Sequence, residues 1–116
     1  MHKLIICMFL FSSIFSYGQK QIDNNTAKKL LKDKKTQLLD VRTLNEVNNG
    51  KINGSIHIDY FSADFTSQCL KSLDKNNPII VYCAAGGRSA KASKLLRKEG
   101  FKLIYDLSGG YDNWSE

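Results

Sequence analysis

Residues 79–83 read Ile-Ile-Val-Tyr-Cys, five apolar side chains in a row, and they follow Pro78, the only proline of the chain. The run has strand length, and a strand without polar alternation must be covered on both faces. A proline fits at its start, where no ladder hydrogen bond is lost. Small residues follow, and then a basic amphipathic stretch, 88–100, with Ala92, Leu95 and Leu96 on one side. A buried strand that feeds directly into a helix is a unit of a parallel sheet with helices above and below it.

The other segments keep the alternation. Residues 20–22 are extended, and Asp23 is a candidate N-cap for a helix over 24–35 with Ala27, Leu30 and Leu31 on its apolar face. Residues 37–41 (QLLDV) suit a strand, 43–49 a helical turn or two closed by Gly50, and 55–58 a second short strand. Phe65, Cys69, Leu70 and Leu73 give 62–73 a helical spacing, and 74–78 is a polar turn. The last strand lies within 101–107, and 108–116 closes the chain with a Gly-Gly turn and Trp114. The expected fold class is α/β: a central, mostly parallel sheet of about five strands with helices on both faces.

Composition narrows the function classes. The chain has 116 residues, 42% hydrophobic and 24% charged, which excludes a disordered chain and leaves room for one ordinary domain. The net charge of +6 is mild and comes without aromatic interleaving, so no nucleic-acid partner is expected. Three cysteines with no C-x-x-C pair, and only two histidines, argue against a disulfide scaffold or a zinc module.

Residues 1–18 carry one charge, Lys3, followed by an apolar run over 4–15 broken only by Ser12 and Ser13. A membrane span needs about 20 apolar residues, more than this run offers. A positive start, a short apolar core and small residues at Ser16 and Gly18 fit a secretory signal peptide cut after Gly18. Residues 19–116 then form the working domain, exported to a periplasm or secreted, with no stable membrane insertion after cleavage. The alternative is an uncleaved anchor.

The chemistry concentrates at 83–89. In open α/β sheets ligands bind beyond the carboxyl ends of the strands, which points to Cys83. The loop that follows reads Ala84-Ala85-Gly86-Gly87, and then Arg88 and Ser89 open the helix. Alanines keep bulk out, glycines admit unusual backbone angles, and successive amides in such a turn form an anion-binding nest. The helix start and the permanent charge of Arg88 add positive potential. Together these features favour a thiolate at Cys83, and the thiolate is the nucleophile.

This loop, with the segments around it, resembles the rhodanese-like sulfurtransferases. The upstream stretch LLDVRTLNEVNNGKINGSIHID resembles the family's D-V-R…E…G-H-I-x-G-A, with Asp40, Arg42, Glu46, Gly50, Ile52 and Gly54 at matching places. The closing DLSGGYDNW resembles G-G-x-x-x-W, at Gly109, Gly110 and Trp114. Two places depart from the pattern, Lys51 for a histidine and Asn53 for a proline. Four residues separate Cys83 from Arg88. Related phosphatases on this fold have a longer loop, so the shorter one favours sulfur over phosphate.

The resemblance implies a single-domain enzyme of the thiosulfate sulfurtransferase type. Cys83 takes a sulfane sulfur from thiosulfate or a persulfide donor, holds it as a persulfide, and gives it to cyanide or a thiol. No metal and no organic cofactor is implied; the partners are small sulfur-containing anions or thiol and persulfide carriers. Arg88 either holds a sulfonate oxygen of the donor or braces the loop, and Ser89 either caps the helix or donates to sulfur. Asp40, Arg42 and Glu46 form a supporting rim, either as salt bridges that reach Glu46 or Arg88 or, for Arg42, as a substrate contact. Cys69 is a core residue or a disulfide partner of Cys83. His57 reads as structural, and Tyr60 and Phe61 as pocket wall or packing. A second functional reading is a persulfide relay or binding module with little thiosulfate turnover.

Overall fold

The computed structural model describes residues 20–115. The expected leader, 1–18, lies outside the described residues. Five strands form one sheet: β1 (Lys20–Ile22), β2 (Gln37–Asp40), β3 (Ile56–His57), β4 (Ile79–Tyr82) and β5 (Ile104–Leu107). Their spatial order is β1-β5-β4-β2-β3, and every pairing is parallel. Four helices alternate with them: α1 (Asn24–Leu30), α2 (Leu44–Asn48), α3 (Phe65–Ser72) and α4 (Gly87–Lys98). A short 3-10 helix, Tyr111–Asn113, closes the chain. Among the described residues no helix is long and apolar enough to cross a membrane.

The alternation of β4 divides the core. Ile79, Val81 and Cys83 face one layer with Phe65, Cys69, Leu73, Ala92 and Leu96, which come from α3, α4 and the turn after α3. Ile80 and Tyr82 face the other, with Ile22, Ala27, Ile52 and Leu107. All four β4 residues are fully buried, and burying a side chain of that size stabilises by about 1.5–3 kcal/mol. This explains why the run carries no polar alternation.

Two expected helices are shorter in the structure. The helix expected over 24–35 starts on Asp23, whose carboxylate accepts from the Thr26 amide at 2.9 Å, but it ends at Leu30. Thr36 Oγ1 donates to the Leu30 carbonyl at 2.7 Å, and the Asp33 carboxylate accepts from the Lys35 amide at 2.9 Å. These local bonds offer the backbone a turn in place of another helical repeat. The helix expected over 62–73 begins at Phe65, because Ser62 and Asp64 bond each other at 2.6 Å in the preceding turn.

Chain direction positions the site. After β2 the chain moves outward to β3; after β4 it moves the opposite way to β5. The connections therefore diverge above the neighbouring ends of β2 and β4. Such a switch point leaves a crevice at the carboxyl edge of the sheet.

Candidate active site

Cys83 is the first residue past β4, 1% exposed at the floor of this switch point. Its Sγ accepts from two backbone amides, Gly86 at 3.1 Å and Ser89 at 3.4 Å. Ser89 Oγ lies 3.5 Å from the same sulfur. The loop can fold back in this way because Gly86 has φ +130°, a backbone angle that side chains resist. Gly86 is also the N-cap of α4 and supplies no side-chain cap. The first amides of a helix have no intrahelical acceptor, and here that of Ser89 is spent on sulfur. Ala84 is half-buried, while Ala85 and Gly87 are exposed on the rim.

Arg88 and Glu46 clasp across the crevice. Arg88 Nη1 and Nη2 donate to the two Glu46 carboxylate oxygens at 2.7 and 2.9 Å. Glu46 is held in turn by a capping box, in which it accepts from the Thr43 amide at 3.0 Å while Thr43 caps α2. The clasp ties the loop after β2 to the loop after β4. The Arg88 guanidinium holds the Glu46 carboxyl down to about 2, well below the usual carboxylate range. A value lowered by folding gives stability that is present above the ordinary value of 4.5 and lost as pH falls toward 2. The pair is partly exposed, so its contribution is below about 1 kcal/mol. Melting curves of wild type and Glu46→Gln should therefore differ at pH 6 and converge near pH 2; a constant difference across that window contradicts the clasp.

Asp40 and Arg42 do not reach Glu46 or Arg88. They pair with each other: Arg42 Nε and Nη2 donate to Asp40 at 2.9 and 2.6 Å, and both residues are buried. Nη2 also donates to the Gly50 carbonyl at 2.8 Å. The guanidinium lies 4.4 Å from the Tyr111 ring centre and 5.4 Å from that of Tyr82. A buried charge needs a partner and hydrogen bonds, which Asp40 and the Gly50 carbonyl supply, while the two rings add cation–π contacts. His57 Nε2 donates to the Arg42 carbonyl at 2.6 Å, a backbone tie.

The closing Gly-Gly turn supports the loop from behind. The Tyr111 and Asp112 amides donate to the Cys83 and Ala84 carbonyls at 2.8 and 2.9 Å. Gly110 passes so close that a Cβ there would sit 2.5 Å from both carbonyl oxygens. Tyr60 packs edge-on against Phe65, while Phe61 is 68% exposed with the Arg88 guanidinium 5.8 Å from its ring. Cys69 and Cys83 are both free thiols in the same core layer. Burial pushes the Cys69 thiol up to about 12, which makes it inert. Among the described residues no three metal-ligating side chains converge.

Sequence reasoning missed Asp106, a buried carboxyl on β5 whose Oδ1 lies 2.7 Å from Ser89 Oγ. Its signal was present, an acid inside the otherwise apolar strand IYDL.

The comparisons agree with this geometry. A family model described as Rhodanese-like domain matches residues 23–116. The chain is 32% identical to a protein named thiosulfate sulfurtransferase GlpE from Shewanella oneidensis, over 84% of this chain and 93% of that one. It is 36% identical to a tRNA uridine(34) hydroxylase from Pelagibacter ubique, over 97% of this chain but only 37% of that longer relative. The crystal structure of a rhodanese-like domain protein from Staphylococcus aureus superposes with a TM-score of 0.72 at 32% identity, covering 84% of this chain and 93% of that one. With its all-parallel sheet, its cysteine loop and these matches, the chain belongs to the rhodanese-like family.

Proposed function

We propose that this chain is a sulfurtransferase that works through a persulfide on Cys83. The observation that carries the reading is the convergence of the Gly86 and Ser89 amides on a buried sulfur at the end of β4. Fixed donors aimed at one atom stabilise negative charge there without reorganising. In the first step the Cys83 thiolate attacks the outer sulfur of thiosulfate. The bond between the two donor sulfurs breaks, its electron pair leaves with sulfite, and Cys83 carries a persulfide. In the second step cyanide or a thiolate attacks the outer sulfur and the thiolate of Cys83 returns. Splitting one transfer into two is covalent catalysis. Amides of the loop and the first turn of α4 are the donors for the charged outer sulfur.

One observation favours a persulfide donor over thiosulfate. Both terminal nitrogens of Arg88 donate to Glu46, so the charge of this cation is already paired and braces the loop, which weakens its pull on a sulfonate. The same observation supports the relay reading, in which persulfide arrives from a carrier and moves on to a thiol. Rates of thiocyanate formation with thiosulfate and with glutathione persulfide as donors separate the two. Turnover with both supports the enzyme, loading by persulfide alone supports the relay, and no sulfur on Cys83 from either donor overturns both.

Export is part of the proposal and rests on the apolar run over 4–15. Protein recovered from the cell exterior or periplasm should begin at Gln19 by intact mass; a chain still beginning at Met1 contradicts cleavage.

A further inference from the structure

Asp106 is 2% exposed, and neither salt bridge among the described residues includes it. Its contact is with Ser89, whose Oγ lies 2.7 Å from Asp106 Oδ1, 3.1 Å from the Gly86 carbonyl oxygen and 3.5 Å from Cys83 Sγ. A buried carboxyl, a buried hydroxyl and a buried sulfur thus form one continuous chain.

The hydroxyl of Ser89 has one proton to give. When Asp106 is ionised, its carboxylate is the strongest acceptor and takes that proton in a hydrogen bond. Ser89 then accepts from the S–H of Cys83. When Asp106 is protonated, its O–H donates to Ser89, and the Ser89 proton turns to a sulfur anion. Both arrangements hold the same number of protons. Passing from the first to the second, the S–H bond breaks and leaves its electron pair on sulfur, Ser89 gains that proton, and the former Ser89 proton bonds to Asp106 Oδ1. Ser89 ends unchanged.

The surroundings suit a shared proton. Burial pushes the Asp106 carboxyl up from its ordinary value, opposed by the Ser89 hydrogen bond. From the loop after β4 the titratable group facing it is Cys83. Inward from α4 come Ser89, Ala92, Ser93 and Leu96, none of them charged, while the Arg88 guanidinium is turned to Glu46. On β1 the neutral Gln21 stands in register with Asp106, and the exposed Lys20 alternates to the opposite face. Among the described residues no salt bridge pins the carboxyl in its ionised form.

We propose that Asp106 is a positioning residue that takes up the proton of Cys83 through Ser89, so that the sulfur becomes nucleophilic with its proton kept inside the protein. The proposal rests on Cys83 being the reactive sulfur. Its test reads that sulfur without any turnover.

The rate of Cys83 alkylation by iodoacetamide is followed against pH by peptide mass, in wild type and Asp106→Asn. Two groups that interact by more than about one pK unit titrate in two macroscopic steps that belong to the pair. Wild type should therefore show two inflections and Asp106→Asn one. Asparagine keeps the shape and the hydrogen bond to Ser89, so a merely structural role for Asp106 leaves the number of steps unchanged. A second measurement needs no variant: the carboxyl carbon resonance of Asp106 in wild type should report both steps, and one step once Cys83 is alkylated. A single inflection in wild type, or an Asp106 resonance blind to alkylation, overturns the proposal and leaves the sulfur-transfer reading intact. Failure of Cys83 to alkylate at any pH overturns both.

Discussion

Cys83→Ser loses sulfur transfer from any donor, by at least about a thousandfold. A serine hydroxyl in this position stays protonated under the conditions in which a thiol ionises, and it forms no persulfide. The Gly86 and Ser89 amides, 3.1 and 3.4 Å from Sγ, would then face a neutral oxygen. Serine fits the space of cysteine, so folding is retained and the melting temperature moves little. Thiocyanate formation from thiosulfate or glutathione persulfide and cyanide measures the loss; turnover within tenfold of wild type contradicts the assignment of Cys83.

Gly110→Ala destabilises the protein by about 3 kcal/mol or more. Two effects add. Gly110 has φ +60° and ψ −158°, a region that is essentially closed to residues with a Cβ. The new Cβ would also lie 2.5 Å from the Cys83 and Ala84 carbonyl oxygens, which are backbone and cannot swing aside. Relief requires the Gly-Gly turn to back away, which breaks the Tyr111 and Asp112 amide bonds to those carbonyls. The loop that follows Cys83 then loses its support from behind. For a domain of this size the melting temperature falls on the order of 15 °C. Activity falls with it even below the melting point, since the carbonyl of Cys83 itself moves. Gly86→Ala makes a useful contrast: its φ of +130° is strained, but no atom lies within 4 Å of the added Cβ.

What was legible in the sequence follows from where each signal is stored. Local signals were readable: the unalternating run of β4, the Asp23 cap, and the small loop between Cys83 and Arg88. They need only neighbours along the chain. The end of α1 was harder, because Lys32 to Lys35 read as more helix while the Thr36 hydroxyl reaches back to the Leu30 carbonyl. The rim needed three dimensions. Arg42 looked like a partner for Glu46 or Arg88, yet its box is assembled from Asp40, Gly50, Tyr82 and Tyr111, which lie on four separate segments. Glu46 and Arg88 are 42 residues apart and meet only because β2 and β4 are neighbours. The role of Asp106 is hidden in the sequence for the same reason: β5 lies beside β4 in space, so its carboxyl meets the start of α4.

The proposed transfer passes through one covalent species, whose mass can be read directly. Wild-type protein exposed to thiosulfate or glutathione persulfide, then alkylated and digested, should yield the peptide containing Cys83 heavier by one sulfur atom. Added cyanide should remove that atom and release thiocyanate. A Cys83 peptide that never gains sulfur from either donor, in protein that remains folded, contradicts the account.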